Sequence, residues 1–295
     1  MKQIKSYRGK LIENEPLSKH ITLKVGGPAR YMVFPRSSEE IKHIVVECLG
    51  KDIPFVMLGK GANVLADDKG FPGVVINTLQ FNSYQFDGYT ITADAGASMQ
   101  QLCDVCLEHE LGGLEFAFPI PGTIGGFVFM NTGWWPESKM FTSNVVEKVD
   151  VFDGVKMFSL SKEECMFRYR ESIFHKHSNW AILSIKLILT VRSKTEIIQN
   201  TERFKGYTKG QDRAFPNAGS VFLGGNREYG GTFDDLPGIR GHTIGGAKFS
   251  EKTPNWIINF NNATSNDICA LIKHAENVHR QTGKPKPTLE WRIFK

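Results

Sequence analysis

The stretch FAFPIPGTIGGFVFMNTG, Phe116 to Gly133, constrains this chain more than any other. It sets Gly122, Gly125, Gly126 and Gly133 among bulky apolar residues, with Pro119 and Pro121 just upstream. A core strand gains nothing from glycine, which loses conformational entropy on folding and packs no side chain. Glycines crowded between hydrophobic runs mean that another backbone, or a ligand, must come very close. A second loop has the same grammar. Leu58-Gly59-Lys60-Gly61-Ala62-Asn63 follows a strand-like run and contains a G-x-G. Val64 stands where a Rossmann fingerprint needs its third glycine, and no Gly-Lys-Ser/Thr follows to make a Walker A loop. Taken alone it reads as a tight turn. Two such loops in one chain predict a dinucleotide lying extended across a two-domain cleft, its pyrophosphate on backbone N–H donors. The predicted contacts are Gly59, Lys60, Gly61, Ala62 and Asn63 in the first loop, and Pro121, Gly122, Thr123, Gly125 and Gly126 in the second. Asn131, at the end of the apolar run, completes the set.

With 295 residues the chain should hold two or three folding units. Its 41% hydrophobic and 23% charged residues are those of a soluble globular protein. The net charge of +5 is mild and spread along the chain. No basic stripe interleaved with aromatics points to nucleic acid, and a weak positive field suits anionic small molecules equally well. The first thirty residues lack the apolar centre of a signal peptide, and no run approaches the length of a membrane span. Five scattered cysteines favour a reducing, cytoplasmic setting. Cys103, Cys106 and His109 are spaced as C-x2-C-x2-H, which could bind zinc or cycle redox. No fourth ligand is placed, and SMQQLCDVCLEHEL reads as an amphipathic helix opened by a Ser98/Gln101 capping box. The cysteines are therefore assigned to a helix face, and no metal site is expected.

Periodicity predicts an α/β unit over residues 29–79. ARYMVFP, PFVMLG and GVVIN are strands, SSEEIKHIVVECLGK is a helix with Ser37 and Glu40 as a capping box, and GKGANVLADDKGF is a loop. Residues 80–192 read as mostly β. YTITADAG alternates, VEKVDVFDGVKMFSL turns at Asp153-Gly154, and WAILSIKLILTV is one long strand. KTEIIQNTERFKGYTKG is a polar helix that reads as a linker into a new unit. Beyond a glycine-rich stretch, SNDICALIKHAENVHRQTG places Ile268, Leu271, Ile272, Ala275 and Val278 at helical spacing and stops at Gly283. TLEWRIF is a final strand.

Several motifs occur in a fixed order: NEPLSKHITLKVGGPARYMVFP, LGKGANVLADDKGF, GLEFAFPIPGTIGGFVFMNTG, FRYRESIF, NAGSVF and GGAKFSEKTPNWIIN. Together they resemble the UDP-N-acetylenolpyruvoylglucosamine reductase (MurB) family, in its compact form, over nearly the whole chain. The resemblance implies an α+β fold: the two-domain FAD-binding fold of the vanillyl-alcohol-oxidase (PCMH-like) class plus a smaller α+β substrate-binding domain. It implies an FAD-binding α/β subdomain over 1–79 joined by the C-terminal strand 284–295, a mainly β FAD-binding subdomain over 80–192, and a substrate-binding domain over 193–283. It also implies FAD, held non-covalently because residues 58–70 contain no histidine, and NADPH as co-substrate. The reaction would reduce UDP-N-acetylglucosamine enolpyruvate to UDP-N-acetylmuramate for peptidoglycan synthesis, by a cytoplasmic monomer without nucleic-acid or membrane partners.

The resemblance assigns Arg170, in Arg168-Tyr169-Arg170-Glu171-Ser172, to the substrate carboxylate, which a planar guanidinium can grip bidentately. Ser220 becomes the proton donor, Glu290 a protonated partner of the developing enediolate, and Tyr169 a wall of the sugar or phosphate pocket. In isolation each residue would be ordinary: a surface arginine, a turn serine and a solvated glutamate. Their joint occurrence in family order gives them a chemical role. The chain departs from the family pattern at Leu223-Gly224-Gly225, where Lys-Asn-Pro is usual, and at Ala62, where serine is usual. An FAD-linked oxidase or dehydrogenase of the same fold, or a nucleotide-sugar-binding relative without catalysis, are the competing readings.

Overall fold

The computed structural model describes residues 7, 9–134, 138–224, 233 and 236–295. Gly225 of the departure after Ser220 lies outside the described residues. The chain forms two compact units, one of residues 1–13, 31–60 and 73–209, the other of residues 14–30, 61–72 and 210–295.

In the first unit, helix α1 (Ser38–Gly50) follows the sequence expectation. Ser37 caps it by accepting from Glu40 N at 3.2 Å. The reciprocal half of the box is not made, because the Glu40 carboxylate instead accepts from Arg36 N at 2.8 Å. Ile41, Ile44, Val45 and Cys48 are buried with Val33, Val74 and Ile76 of a four-stranded sheet. Its order is Leu11–Pro16, Pro28–Val33, Phe71–Asn77, Phe55–Leu58, the last two paired in parallel. The second sheet of this unit is antiparallel, in the order Met157–Ser161, Val146–Phe152, Ala181–Ile188, Thr90–Asp94, Tyr84–Asp87. Its outer hairpin turns where expected, with Asp153 Oδ1 accepting from Val155 N and Lys156 N, both at 2.8 Å.

Helix α2 (Met99–Glu108) buries Met99, Leu102, Cys103 and Cys106 against that second sheet. Its Ser98 hydroxyl makes no capping bond, so the expected box does not form; the side chain serves another partner described below. Burial pushes the Cys106 thiol up to about 12 and Cys103 well above the usual thiol range. Two features differ from the sequence expectation. Within residues 80–192, read as mostly β, Ile124–Met130 is a helix, α3. The long strand ends at Ile188, and Thr190–Val191 pairs separately with Leu111–Gly112. The polar helix α4 (Lys194–Gly206) packs on α2 and buries Ile197 and Phe204, with Phe204 in the core of this unit, so it is more than a linker.

The second unit is built on an antiparallel sheet in the order Asn217–Ser220, Trp256–Asn259, Ala247–Phe249, Thr243–Ile244. Helix α5 (Ser265–Gln281) packs on it through Ile268, Leu271, Ala275 and Val278, and ends before Gly283 at φ +68°. The GKGANVLADDKGF loop contains a short strand, Val64–Ala66, that pairs in parallel with Arg292–Phe294. Asp68 and Ser265 then exchange reciprocal bonds, Asp68 N to Ser265 Oγ at 3.0 Å and Ser265 N to Asp68 Oδ2 at 2.7 Å. This fastens that loop to the start of α5.

Candidate active site

Gly59 and Lys60 of the first glycine loop meet the second glycine loop within the first unit. A Cβ on Gly59 would lie 2.4 Å from Thr123 Oγ1, so only glycine admits the approach. Lys60 Nζ donates to Gln100 Oε1 at 2.8 Å and to Ser98 Oγ at 3.4 Å. Gln100 Nε2 in turn donates to Ile120 O and to Phe118 O. Gln100 therefore ties the first loop to the second, and Lys60 occupies the hydroxyl that was expected to cap α2. Burial holds the Lys60 ammonium below the usual lysine range.

The glycines of the second loop separate by cause. A Cβ on Gly125 would meet Ala95 O at 2.8 Å, one on Gly122 the Phe127 ring at 2.6 Å, and one on Gly133 Met140 O at 2.1 Å. Close packing of the protein on itself accounts for these three. Gly126 is different: it is exposed, and its Cβ would find only Thr123 Oγ1, at 3.6 Å. The donors separate too. Gly125 N bonds to Ala95 O at 2.9 Å, Ile124 N to Ala97 O at 2.9 Å, and Gly126 N to Thr123 Oγ1 at 3.4 Å. The N–H groups of Gly122 and Thr123 donate to none of the described residues. They are the ones available to a phosphate.

Arg170 lies at the tip of a two-residue hairpin. Arg168 N donates to Glu171 O at 3.0 Å and Glu171 N to Arg168 O at 3.2 Å. Arg170 itself has φ +54°, a conformation that costs a side-chain-bearing residue on the order of 1–2 kcal/mol. Its guanidinium carbon stands 5.4 Å from the Tyr169 ring centroid, and Tyr169 meets Phe141 edge-on at 6.4 Å. Asn131 caps the C-terminal end of α3 at φ +42° and is almost fully buried.

In the second unit, Gly61 takes φ +65° beside His20, whose carbonyl oxygen would stand 2.7 Å from a Cβ. Ala62 is half-buried. Asn63 Nδ2 donates to Glu290 O at 3.1 Å, and Asn63 O accepts from Arg292 N at 3.0 Å. Glu290 lies just ahead of the last strand. Its N–H donates to Val221 O at 2.8 Å, next to an antiparallel bridge between Phe222 and Leu289. Ser220 is brought there by a bulge between Asn217 and Ser220, with Gly219 at φ +70°. Asn255 holds the following turn by accepting from Phe222 N at 3.1 Å and donating to Phe222 O at 2.8 Å. The Ser220 hydroxyl bonds to none of the described residues. Ser220 and Glu290, distant in sequence, are thus neighbours on paired segments. Sequence reasoning missed Gln100 and Asn255; neither stands in a pattern that marks it, since amide clamps are fixed by tertiary contacts.

The fold and its glycine loops define a flavin-binding α+β protein, and residues 29–155 match the FAD binding domain family. Residues 204–290 match the C-terminal domain of UDP-N-acetylenolpyruvoylglucosamine reductase. The enzyme of that name from Caldanaerobacter subterraneus subsp. tengcongensis is 38% identical over 92% of this chain and 90% of its own. The one from Bacillus subtilis is 34% identical over the same shares. The crystal structure of the Thermus caldophilus enzyme covers 98% of this chain and 99% of that chain, with a TM-score of 0.77 at 27% identity. The chain belongs to the UDP-N-acetylenolpyruvoylglucosamine reductase family and is an FAD-dependent oxidoreductase.

Proposed function

We propose that this chain uses NADPH to reduce UDP-N-acetylglucosamine enolpyruvate to UDP-N-acetylmuramate, with Arg170, Ser220 and Glu290 carrying the chemistry. The residues fit FAD: Gly126 leaves open space that the protein does not use, and Gly122 and Thr123 offer backbone donors. Residues 58–70 contain no histidine for a covalent link. FAD, when bound, supplies the hydride that adds to the carbon beta to the substrate carboxylate. Arg170 binds that carboxylate and stabilises charge as it builds on the alpha carbon and carboxylate. Ser220 delivers a proton to the alpha carbon, which a serine can do only toward a strongly basic carbanion in a site closed to water. Glu290, as a protonated carboxyl, donates a hydrogen bond to the enediolate.

The observation that carries this reading is the pairing of the Ser220 and Glu290 segments. The Phe222–Leu289 bridge and the bond from Glu290 N to Val221 O bring the backbones of these two segments together. On this reading the flavin-binding subdomains are 1–79 with 284–295 and 80–192, and the substrate-binding domain is 193–283. The setting is cytoplasmic, and the protein acts as a monomer on small molecules without nucleic-acid or membrane partners. Among the described residues no helix is long and apolar enough to cross a membrane. Purified protein should be yellow, bleach with NADPH, and oxidise NADPH faster when the enolpyruvyl sugar is added. Colourless protein, or oxidation indifferent to the sugar, would contradict the proposal.

A further inference from the structure

The hairpin that carries Arg170 is held at both ends by one element. Asn131 Nδ2 donates to Arg168 O at 2.9 Å, on the entering strand of the hairpin. Ser172 Oγ donates to Phe129 O at 2.6 Å, on the leaving strand. Asn131 and Phe129 both belong to the C-terminal end of α3, whose first turn follows the Pro121–Thr123 loop. Both ends of the Asn131 amide are engaged, because its Oδ1 also accepts from Ser143 N at 3.0 Å, and the residue is 3% exposed. Ser172 is 1% exposed. Between the two clamps, Arg170 sits in a left-handed conformation that an unsupported loop would leave.

We infer that Asn131 and Ser172 are positioning residues for Arg170, and that Asn131 is not a flavin ligand. Its amide is spent on protein backbone, one end on the Arg168 carbonyl and the other on the Ser143 N–H. The helix α3 then does two tasks. Its leading loop presents backbone donors to the cofactor, and its trailing end fixes the turn that grips the substrate carboxylate. This inference rests on the reading that Arg170 acts on that carboxylate.

The test compares Asn131→Asp, Ser172→Ala and Arg170→Ala in the flavin-loaded protein. Asn131→Asp keeps the acceptor for Ser143 N and removes the donor to Arg168 O. Both clamp variants should retain FAD and be reduced by NADPH within about twofold of the parent. Flavin reoxidation by the enolpyruvyl sugar should slow by about tenfold or more, since small misplacements of a catalytic group cost that much. In the Arg170→Ala background, adding Asn131→Asp should change reoxidation by less than about twofold, because the clamp acts only through the arginine. Loss of FAD from Asn131→Asp would overturn the inference in favour of a cofactor ligand. A full tenfold effect persisting without Arg170 would overturn it as well. Ser172→Ala supplies the same comparison if Asn131→Asp does not fold. Unchanged reoxidation in Arg170→Ala alone would instead refute the role of Arg170, a separate and distinguishable failure.

Discussion

Glu290 donates its backbone N–H to Val221 O at 2.8 Å, one residue past Ser220. The segments that carry Ser220 and Glu290 are therefore joined through their backbones, beside the Phe222–Leu289 bridge. Glu290→Gln should slow reoxidation of the flavin by the enolpyruvyl sugar less than Glu290→Ala does. The amide can still donate a hydrogen bond to the enediolate, whereas alanine cannot. Stopped-flow reoxidation traces for the two variants measure this, and equal losses would show that hydrogen-bond donation is not the role of Glu290.

Gly125 and Gly126 are adjacent and should respond to alanine in opposite ways. Gly125→Ala forces a Cβ to 2.8 Å from Ala95 O, within the backbone that its own N–H also bonds. Overpacking of this kind should cost about 1–3 kcal/mol in urea unfolding. Gly126→Ala meets open space within a helix and should gain up to about 1 kcal/mol in the cofactor-free protein. If the proposed flavin site is right, its FAD affinity should fall, because the methyl group enters the open space beside the loop. Undiminished FAD binding by Gly126→Ala would show that the flavin does not approach this residue.

Arg170→Lys should impair the oxidative half-reaction far more than flavin reduction by NADPH. Lysine keeps the charge and loses the planar, bidentate fork. Equal slowing of both half-reactions would place Arg170 at the flavin and not at the substrate.

The thiols give a check that needs no substrate. Cys48, Cys103, Cys106 and Cys165 are buried, and Cys269 is exposed. Burial pushes Cys48, Cys106 and Cys165 each to about 12, and Cys103 well above the usual thiol range. The thiolate is the reactive form. Burial raises the Cys269 thiol as well, but it is the one exposed cysteine, so at about pH 8 the native protein should react at Cys269 alone, and the denatured protein at all of its cysteines. Fast native labelling of Cys103 or Cys106 would reopen a redox role for that pair.

Much of this could be read from the sequence, for physical reasons that differ by residue. The hairpin at Asp153-Gly154 and the helix α5 were legible because local chemistry fixes them: an aspartate that accepts two turn N–H groups, and an apolar stripe at helical spacing. Helix α3 was not. Gly125 and Gly126 weaken a helix by about 1 kcal/mol each, and its Phe and Val residues favour strands. It forms because Ile124, Phe127 and Val128 are buried and because Ala95 and Ala97 take its first N–H groups. The Ser98 capping box failed for a similar reason, since Lys60 claims the hydroxyl from a distant loop. The short strand Val64–Ala66 carries no pattern of its own and exists only through its pairing with Arg292–Phe294. The glycine loops were recognised, yet the division between glycines that serve packing and the one that faces open space needed the structure. Arg170, Ser220 and Glu290 were named through family resemblance. What the sequence could not show was the bulge at Gly219 and the bridge that joins the Ser220 and Glu290 segments.

Ser220 as the proton donor is the central role proposed for this site. Ser220→Ala removes a hydroxyl that bonds to none of the described residues, so the variant should fold, bind FAD and be reduced by NADPH as the parent is. Single-turnover reoxidation by the enolpyruvyl sugar should fall by about two to four decades, the usual contribution of a positioned general acid. Ser220→Cys should recover part of that loss. Near-normal reoxidation in Ser220→Ala, with solvent deuterium still entering the alpha carbon of the product at full rate, would contradict the account and show that another group supplies the proton.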